Sequence, residues 1–407
     1  MSGPLPMTED LLFTSAQLVG TPQPMTGAGW LATSGGTIAA LGPGAPDDAQ
    51  RDGRTVVDLG GRTVMPGFID VHVHGSVGHE TMDGNVEGLL AMAEFFATHG
   101  VTSFLPSTWT ASRESTMAAL RAVAEARSAS GGARIVGAHM EGPYLSSARC
   151  GAQDPHEIRA VDRDEAAAFL DTGAVRLITV APETEGADDL LDECVRRGVT
   201  FSVGHTDATY EQVAAAVAKG ARHMTHAYNA MSPLNHRAPG AVGAALALSG
   251  FAAELIADEV HVHPVAMNAL VRARGADEVV LVTDAVRPTG TGADFEGELQ
   301  GRRIAIRDGA MRLDDGTLVG SVLTMDLALR NVLRVTGRSL SELWPMVSRN
   351  PAVSAGIGDR TGRLEVGLDA DLVVLDEELS VVRTVVGGRT VFDATHSDPS
   401  LVERNAR

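Results

Sequence analysis

The sequence predicts an α/β protein: a (β/α)8 barrel of the TIM type with a small β-sandwich domain formed by both chain ends. Three observations carry this expectation. Between residues 66 and 285, eight short apolar runs alternate with longer stretches, most of them amphipathic. That is the pattern of parallel strands joined by helices. Both chain ends are instead rich in short strand-like runs broken by Gly. Finally, His and carboxylate residues recur at the C-terminal ends of the runs, where barrels gather their chemistry.

The elements follow in order. The first 65 residues read as short strands with Gly turns, in "LLFTSAQLVG", "GWLATSGGTIAALG" and "RTVVDLGGRTVMPG". The eight barrel runs are "GFIDVHVHG", "VTSFLPST", "ARIVGAHMEG", "VRLITVAPE", "VTFSVGHT", "ARHMTHAYN", "FAAELIADE" and "EVVLVTDA". Helical stretches such as "VEGLLAMAEFFATHG", "DDLLDECVRRG" and "YEQVAAAVAKG" separate them. Residues 322–357 read as further helices. The segment "ADLVVLDEELSVVRTVVGGRTVFD" returns to strands with a Gly-Gly hairpin turn. The expected domains are therefore a barrel over 66–357 and a sandwich built from 1–65 plus 358–407.

Composition narrows the class. Hydrophobic residues make up 44% and charged residues 21%, as in an ordinary globular protein. No stretch reaches about 18 unbroken apolar residues, and the N-terminus lacks a basic start, so the expectation is a cytoplasmic protein. A net charge of −19 disfavours nucleic acid and anionic membranes as partners. Two cysteines, Cys150 and Cys194, make no disulfide framework. Lys219 is the only lysine.

Chemistry is expected at the run ends. His72 and His74 end the first run, Glu141 the third, His205 the fifth, His226 the sixth and Asp284 the eighth. Histidines at i and i+2 on a strand share a face. Neutral imidazoles with carboxylates suit a divalent transition metal such as Zn, Fe, Mn or Co. A lone strand-end His is usually structural, but this many on separate strands point to a metal or catalytic site. His139, two residues before Glu141, should support the ligands. A second "VHVH", at 260–263, runs into Pro264 at a helix entry, so strand alternation lapses there. Nothing in the sequence assigns a role to His79, His99, His156, His223 or His396, and Trp109 and Trp344 read as core.

"PGFIDVHVHG", the Glu ending run three, the single His residues ending runs five and six, and the final Asp resemble the amidohydrolase superfamily. Within it, "HMEGPYLS", "VGHTDATYEQ", "THAYNAMSPLNHRAPG", "LIADEVHVHP", "LVTDAV" and "GSVLTMDLALRN" resemble the N-acetylglucosamine-6-phosphate deacetylase family. The resemblance runs from about residue 10 to 395. It implies metal-dependent hydrolysis of the N-acetyl group of a phosphorylated amino sugar, as in amino-sugar catabolism. It also implies two divalent ions per subunit: one held by Glu141, His205 and His226, the other by His72 and His74 with Glu141 bridging. Many superfamily members bridge their metals with a carboxylated Lys; Lys219 lies in a helical stretch, and Glu141 takes that place. The resemblance makes Asp284 the catalytic acid/base, and makes Asn229, Ala230, His261 and Gln153 substrate contacts. It also makes Arg237 a phosphate ligand contributed across a homodimer interface. Cys150, on a loop expected over the site, is assigned no essential role.

Two rival readings differ in what they require. An N-acyl-D-amino-acid deacylase or a cyclic-amide hydrolase would not need Arg237 with the "YNAM" segment. A metal-free scaffold relative would lack ligands that this sequence keeps.

Overall fold

The structure, a computed structural model, describes residues 9–129, 131–292, 295–307 and 310–395. His396 and the outermost parts of both chain ends lie outside the described residues.

Each of the eight expected runs contains a parallel strand. These are β1 (Phe68–Val73), β2 (Val101–Pro106), β3 (Ala138–Glu141), β4 (Val175–Val180), β5 (Thr200–Val203), β6 (His223–Met224), β7 (Ala252–Ile256) and β8 (Val279–Val282). Every residue of β1 and β2 is buried, as expected where helices cover one face and packed side chains the other. The strands form two curled parallel arcs. One joins β1, β2 and a short strand, Arg134–Ile135; the other runs β3 to β8 in chain order. Bridges Ser107↔His139 and Val73↔Ala285 span the two seams. Backbone bonds Thr108 N–H to His139 O (3.0 Å) and His74 N–H to Ala285 O (2.8 Å) reinforce them. The first seam joins the end of β2 to β3, and the second joins the ends of β1 and β8.

The helices follow from local signals. After β1 comes α1 (Val86–Thr98), whose first turn is capped by Asn85 accepting from Gly88 N–H. Its buried face, Leu89, Met92, Ala93, Phe96 and Ala97, has helical spacing. Next are α2 (Arg113–Ala126), α3 (Arg163–Asp171) and α4 (Ala187–Arg197), the last ended by left-handed Gly198. A Thr209/Gln212 capping box starts α5 (Tyr210–Lys219). Then come α6 (Gly240–Ala247), α7 (Pro264–Arg274) and α8 (Met325–Thr336). Pro264 opens α7, as the sequence indicated, and His263 caps it by accepting from Val265 N–H. Lys219 sits at the last turn of α5, where its Nζ meets Asp188 and Asp192 of α4.

The end segments form one eight-stranded sheet in the order Arg389–Asp393, Val381–Val386, Leu372–Leu375, Thr63–Pro66, Leu11–Leu18, Gly29–Ser34, Thr37–Pro43, with Thr55–Asp58 off this path. On the edge away from Gly29–Ser34, Leu11–Leu18 serves two partners: its first half pairs with Thr55–Asp58, its second with Thr63–Pro66. Both chain ends thus meet in one sheet, around a core that includes Leu11, Phe13, Val64, Leu372 and Val374. The hairpin turn expected at "GG" is present; Gly387 and Gly388 have φ of 53° and 73°, values a two-residue turn of this hand requires.

One element was not expected. Between β8 and α8, strands Glu296–Leu299, Arg302–Arg307 and Ala310–Leu313 make an antiparallel sheet. It packs on Trp109 and Ala152 through Leu299, Ile304 and Met311. Gln300 donates to Thr110 O at 2.7 Å, and Arg302 donates to Ala152 O. Among the described residues, no helix is long and apolar enough to cross a membrane.

Candidate active site

The strand ends turn sharply. His205, His226 and Asp284 have φ of 47°, 26° and 51°, and Ala230 has 49°. Left-handed backbone at a residue other than Gly costs on the order of 1–3 kcal/mol and clusters at functional sites. Here it turns β5, β6 and β8 inward just past their ends. β1 needs no such turn, because alternation brings His72 and His74 to the same face.

These residues converge in the protein interior. His205 Nε2 and His226 Nε2 each lie 3.1 Å from Glu141 Oε1 and 3.1 Å from each other. His72 Nε2 and His74 Nε2 are 3.3 Å apart, the first 3.5 Å from Glu141 Oε1 and the second 3.4 Å from Glu141 Oε2. Asp284 Oδ1 lies 3.5 Å from His72 Nε2 and 3.3 Å from His74 Nε2, yet accepts no hydrogen bond although buried. Glu141 is therefore shared by two triads, His72–His74–Glu141 and Glu141–His205–His226, each compact enough to hold an ion.

The donor set fits divalent metal. Facing imidazole nitrogens can share only one proton, and here two such pairs aim at one carboxylate. Burial disfavours charge on His72, but Glu254, Glu141 and Asp284 outweigh it and hold its pKa well above the ordinary imidazole value. Burial likewise opposes charge on Glu141, yet His72 and His205 keep its carboxyl well below the usual range. Asp284 is lowered in the same way, against burial, by His72 and His74. A cluster that keeps its carboxylates ionised while buried is one that calls for a cation.

Supporting bonds fix the imidazoles. His205 Nδ1 lies 3.0 Å from Arg149 O, which sets its proton there and leaves Nε2 free to ligate. His139, expected to support the ligands, packs on His72 with ring centroids 4.4 Å apart; its Nε2 meets Thr179 Oγ1 at 2.7 Å and its Nδ1 meets Val71 O at 3.1 Å. Burial and the His72 charge push its pKa well below the ordinary value.

The cluster opens into a cavity of about 350 Å³ lined by His74, Trp109, Glu141, Gln153, Asn229 and Ala230, and further by His261, Asp284 and Arg312. That volume suits a small ligand.

Residues 63–391 match the amidohydrolase family. The chain belongs to the amidohydrolase family. Its curated relatives include the N-acetylglucosamine-6-phosphate deacetylase of Bacillus subtilis (strain 168), 34% identical over 96% of this chain and 100% of that protein. The enzyme of that name from Vibrio furnissii is 39% identical over 89% of this chain and 90% of its own. Among solved structures, a mutant N-acetyl-D-glucosamine-6-phosphate deacetylase from Mycobacterium smegmatis, in complex with N-acetyl-D-glucosamine-6-phosphate, superposes with a TM-score of 0.87. It shares 33% identity and covers 94% of this chain and 99% of that one.

The remaining expected residues of this amidohydrolase fall in different places. His261 lines the cavity and is held through Nδ1 by Asp258 at 2.6 Å. Asn229 and Ala230 line the wall. Gln153 also lines it, but its side chain is engaged with protein: Oε1 accepts from Thr110 N–H at 2.7 Å, and Nε2 donates to Glu141 Oε2. Arg237 is exposed, 2.8 Å from His236 Nε2, and is absent from the lining of this chain's cavity.

Other residues were missed. Trp109, read as core, is buried in a hydrophobic cluster and in addition stacks on His74 with ring centroids 3.8 Å apart and lines the cavity. His223 and His99, given no role, are buried with partners: Glu254 at 2.9 Å and Asp326 at 2.9 Å. Glu254 was not singled out either, although it is an acid inside the apolar run "FAAELIADE", where only a specific buried partner keeps a charge. Burial lifts the Asp70 carboxyl to about 7; Thr283 Oγ1 donates to it at 2.5 Å.

Proposed function

We propose that this chain hydrolyses the N-acetyl group of N-acetylglucosamine 6-phosphate, giving glucosamine 6-phosphate and acetate. The observation that carries the reading is a buried set of four His and Glu141, with Asp284 beside it, at the floor of a small cavity. It occurs in a chain that aligns over nearly its whole length with curated deacetylases of that substrate. The two arcs are read as one (β/α)8 barrel, with the end-built sheet as a separate domain. The seam bridges support this.

Divalent metal at these positions would lower the pKa of water and polarise the scissile carbonyl. Glu141, His205 and His226 would hold one ion, and His72 and His74, with Glu141 shared, would hold a second. Asp284 Oδ1 takes the proton from the attacking water and delivers it to the leaving amine nitrogen. His261 and the Asn229–Ala230 segment orient the sugar. Arg237 pairs with the phosphate, since guanidinium binds it bidentately. Its exposure and its place outside the cavity of its own chain fit delivery from a second copy in a homodimer.

Turnover of phosphorylated and unphosphorylated N-acetylglucosamine tests this reading. We expect the phosphorylated sugar to be favoured by a kcat/KM ratio of about 100-fold or more, the size of losing a paired charge. Equal kcat/KM for both would remove the phosphate from the reading.

A further inference from the structure

We propose that Glu254 is a positioning residue that sets His72 and His226 together, so that the two metal positions are built as one unit. The proposal rests on the two-ion reading above. Glu254 lies on β7 and is fully buried, and among the described residues no Lys or Arg pairs with it. Its Oε2 accepts from His72 Nδ1 at 2.9 Å and from the His226 backbone N–H at 2.9 Å. Its Oε1 accepts from His223 Nε2 at 2.9 Å, and Ser354 Oγ closes the chain on His223 Nδ1 at 3.0 Å.

The two arms act differently. At His72 the carboxylate holds a proton on Nδ1, so that Nε2, facing His74, Glu141 and Asp284, is the nitrogen left to ligate a metal. At His226 it holds the backbone of a left-handed residue, and so sets the direction in which that side chain leaves β6. One oxygen thus serves a ligand of each triad. A role in strand packing alone would not explain the choice, because an aliphatic side chain fills such a position without the cost of a buried charge.

The test uses metal-stripped full-length protein, titrated with Zn(II) against a chromophoric chelator and with Co(II) by visible absorption. The parent chain is expected to bind two ions. Glu254→Ala is expected to bind the ion at His72–His74 about 10–100-fold more weakly, the usual effect of losing an orienting carboxylate. A changed Co(II) spectrum should accompany that loss. Glu254→Gln keeps a carbonyl oxygen for His72 and His226 while its amide faces His223, and is expected to recover most of the affinity. Independently of any variant's folding, nitrogen NMR of the Zn(II)-loaded parent should show His72 protonated on Nδ1, with Nε2 as its ligating nitrogen. Parental affinity for both ions in Glu254→Ala overturns the proposal, as does a Zn(II)-loaded His72 that carries its proton on Nε2. A parent that binds a single ion overturns the two-ion reading and the proposal with it. The parent titration separates that case from the others.

Discussion

Asp284 is the residue on which the proposed chemistry turns. It is buried, its Oδ1 has no hydrogen-bond donor, and the surrounding imidazoles keep it ionised. Asp284→Asn preserves size but cannot take a proton. Steady-state kinetics should show kcat falling by about 10²–10⁴-fold, the range for loss of a general acid/base, with metal content unchanged. Full activity in that variant would remove the assignment. At this scale much of the site was legible, because ligand type and strand-end position are both local properties. His72, His74, Glu141, His205, His226 and Asp284 could all be placed that way, and the structure brings all six together. Glu254 and Trp109 were not recognised, because their meaning comes from β1, β6 and an inserted sheet far away in the chain. Gln153 was recognised as a site residue, but its bond to Glu141 depends on a loop conformation that no pattern encodes.

Asp326, in the first turn of α8, joins that helix to the end of α1. Its Oδ1 lies 2.9 Å from His99 Nδ1, and Arg330 lies 3.0 Å away. Burial opposes its charge, but the His99 bond and the His99 and Arg330 charges outweigh burial and hold its carboxyl at about 2. A depressed carboxylate contributes stability that is complete above its unfolded value near 3.8 and is lost as pH falls toward 2. Asp326→Asn should therefore lower unfolding free energy at neutral pH by about 2 kcal/mol. Urea unfolding of parent and variant should show the difference shrinking as pH drops from about 4 to about 2. A difference independent of pH across that window would assign the contact to packing. Among elements, the strands of the eight runs and the three helices quoted from the sequence were legible through periodicity. The antiparallel insertion was not, although "GELQGRRIAIRDGAMRL" carries alternation and two turn dipeptides. Its meaning lies in covering the loops after β2 and β3, which are distant in the chain.

The molecule as a whole raises the question of where Arg237 acts. Delivery from a second copy predicts complementation. Asp284→Asn and Arg237→Ala chains, each inactive alone, would form mixed dimers in which the Arg237→Ala chain keeps its own Asp284 and receives Arg237 from its partner. Random mixing after dissociation should restore about a quarter of parental activity. No recovery, with mixed dimers verified by mass spectrometry, would place Arg237 within its own chain. The placement of Lys219 has a further consequence. The chain's only lysine is tied to Asp188 and Asp192 on the outer helices, so no lysine carbamate can form at the cluster, and Glu141 is the group that both triads share. Reconstitution of metal-stripped protein should then proceed equally well in bicarbonate-supplemented and in carbon-dioxide-free buffer. A centre of this composition would not depend on dissolved gas, and its assembly would respond to metal supply alone.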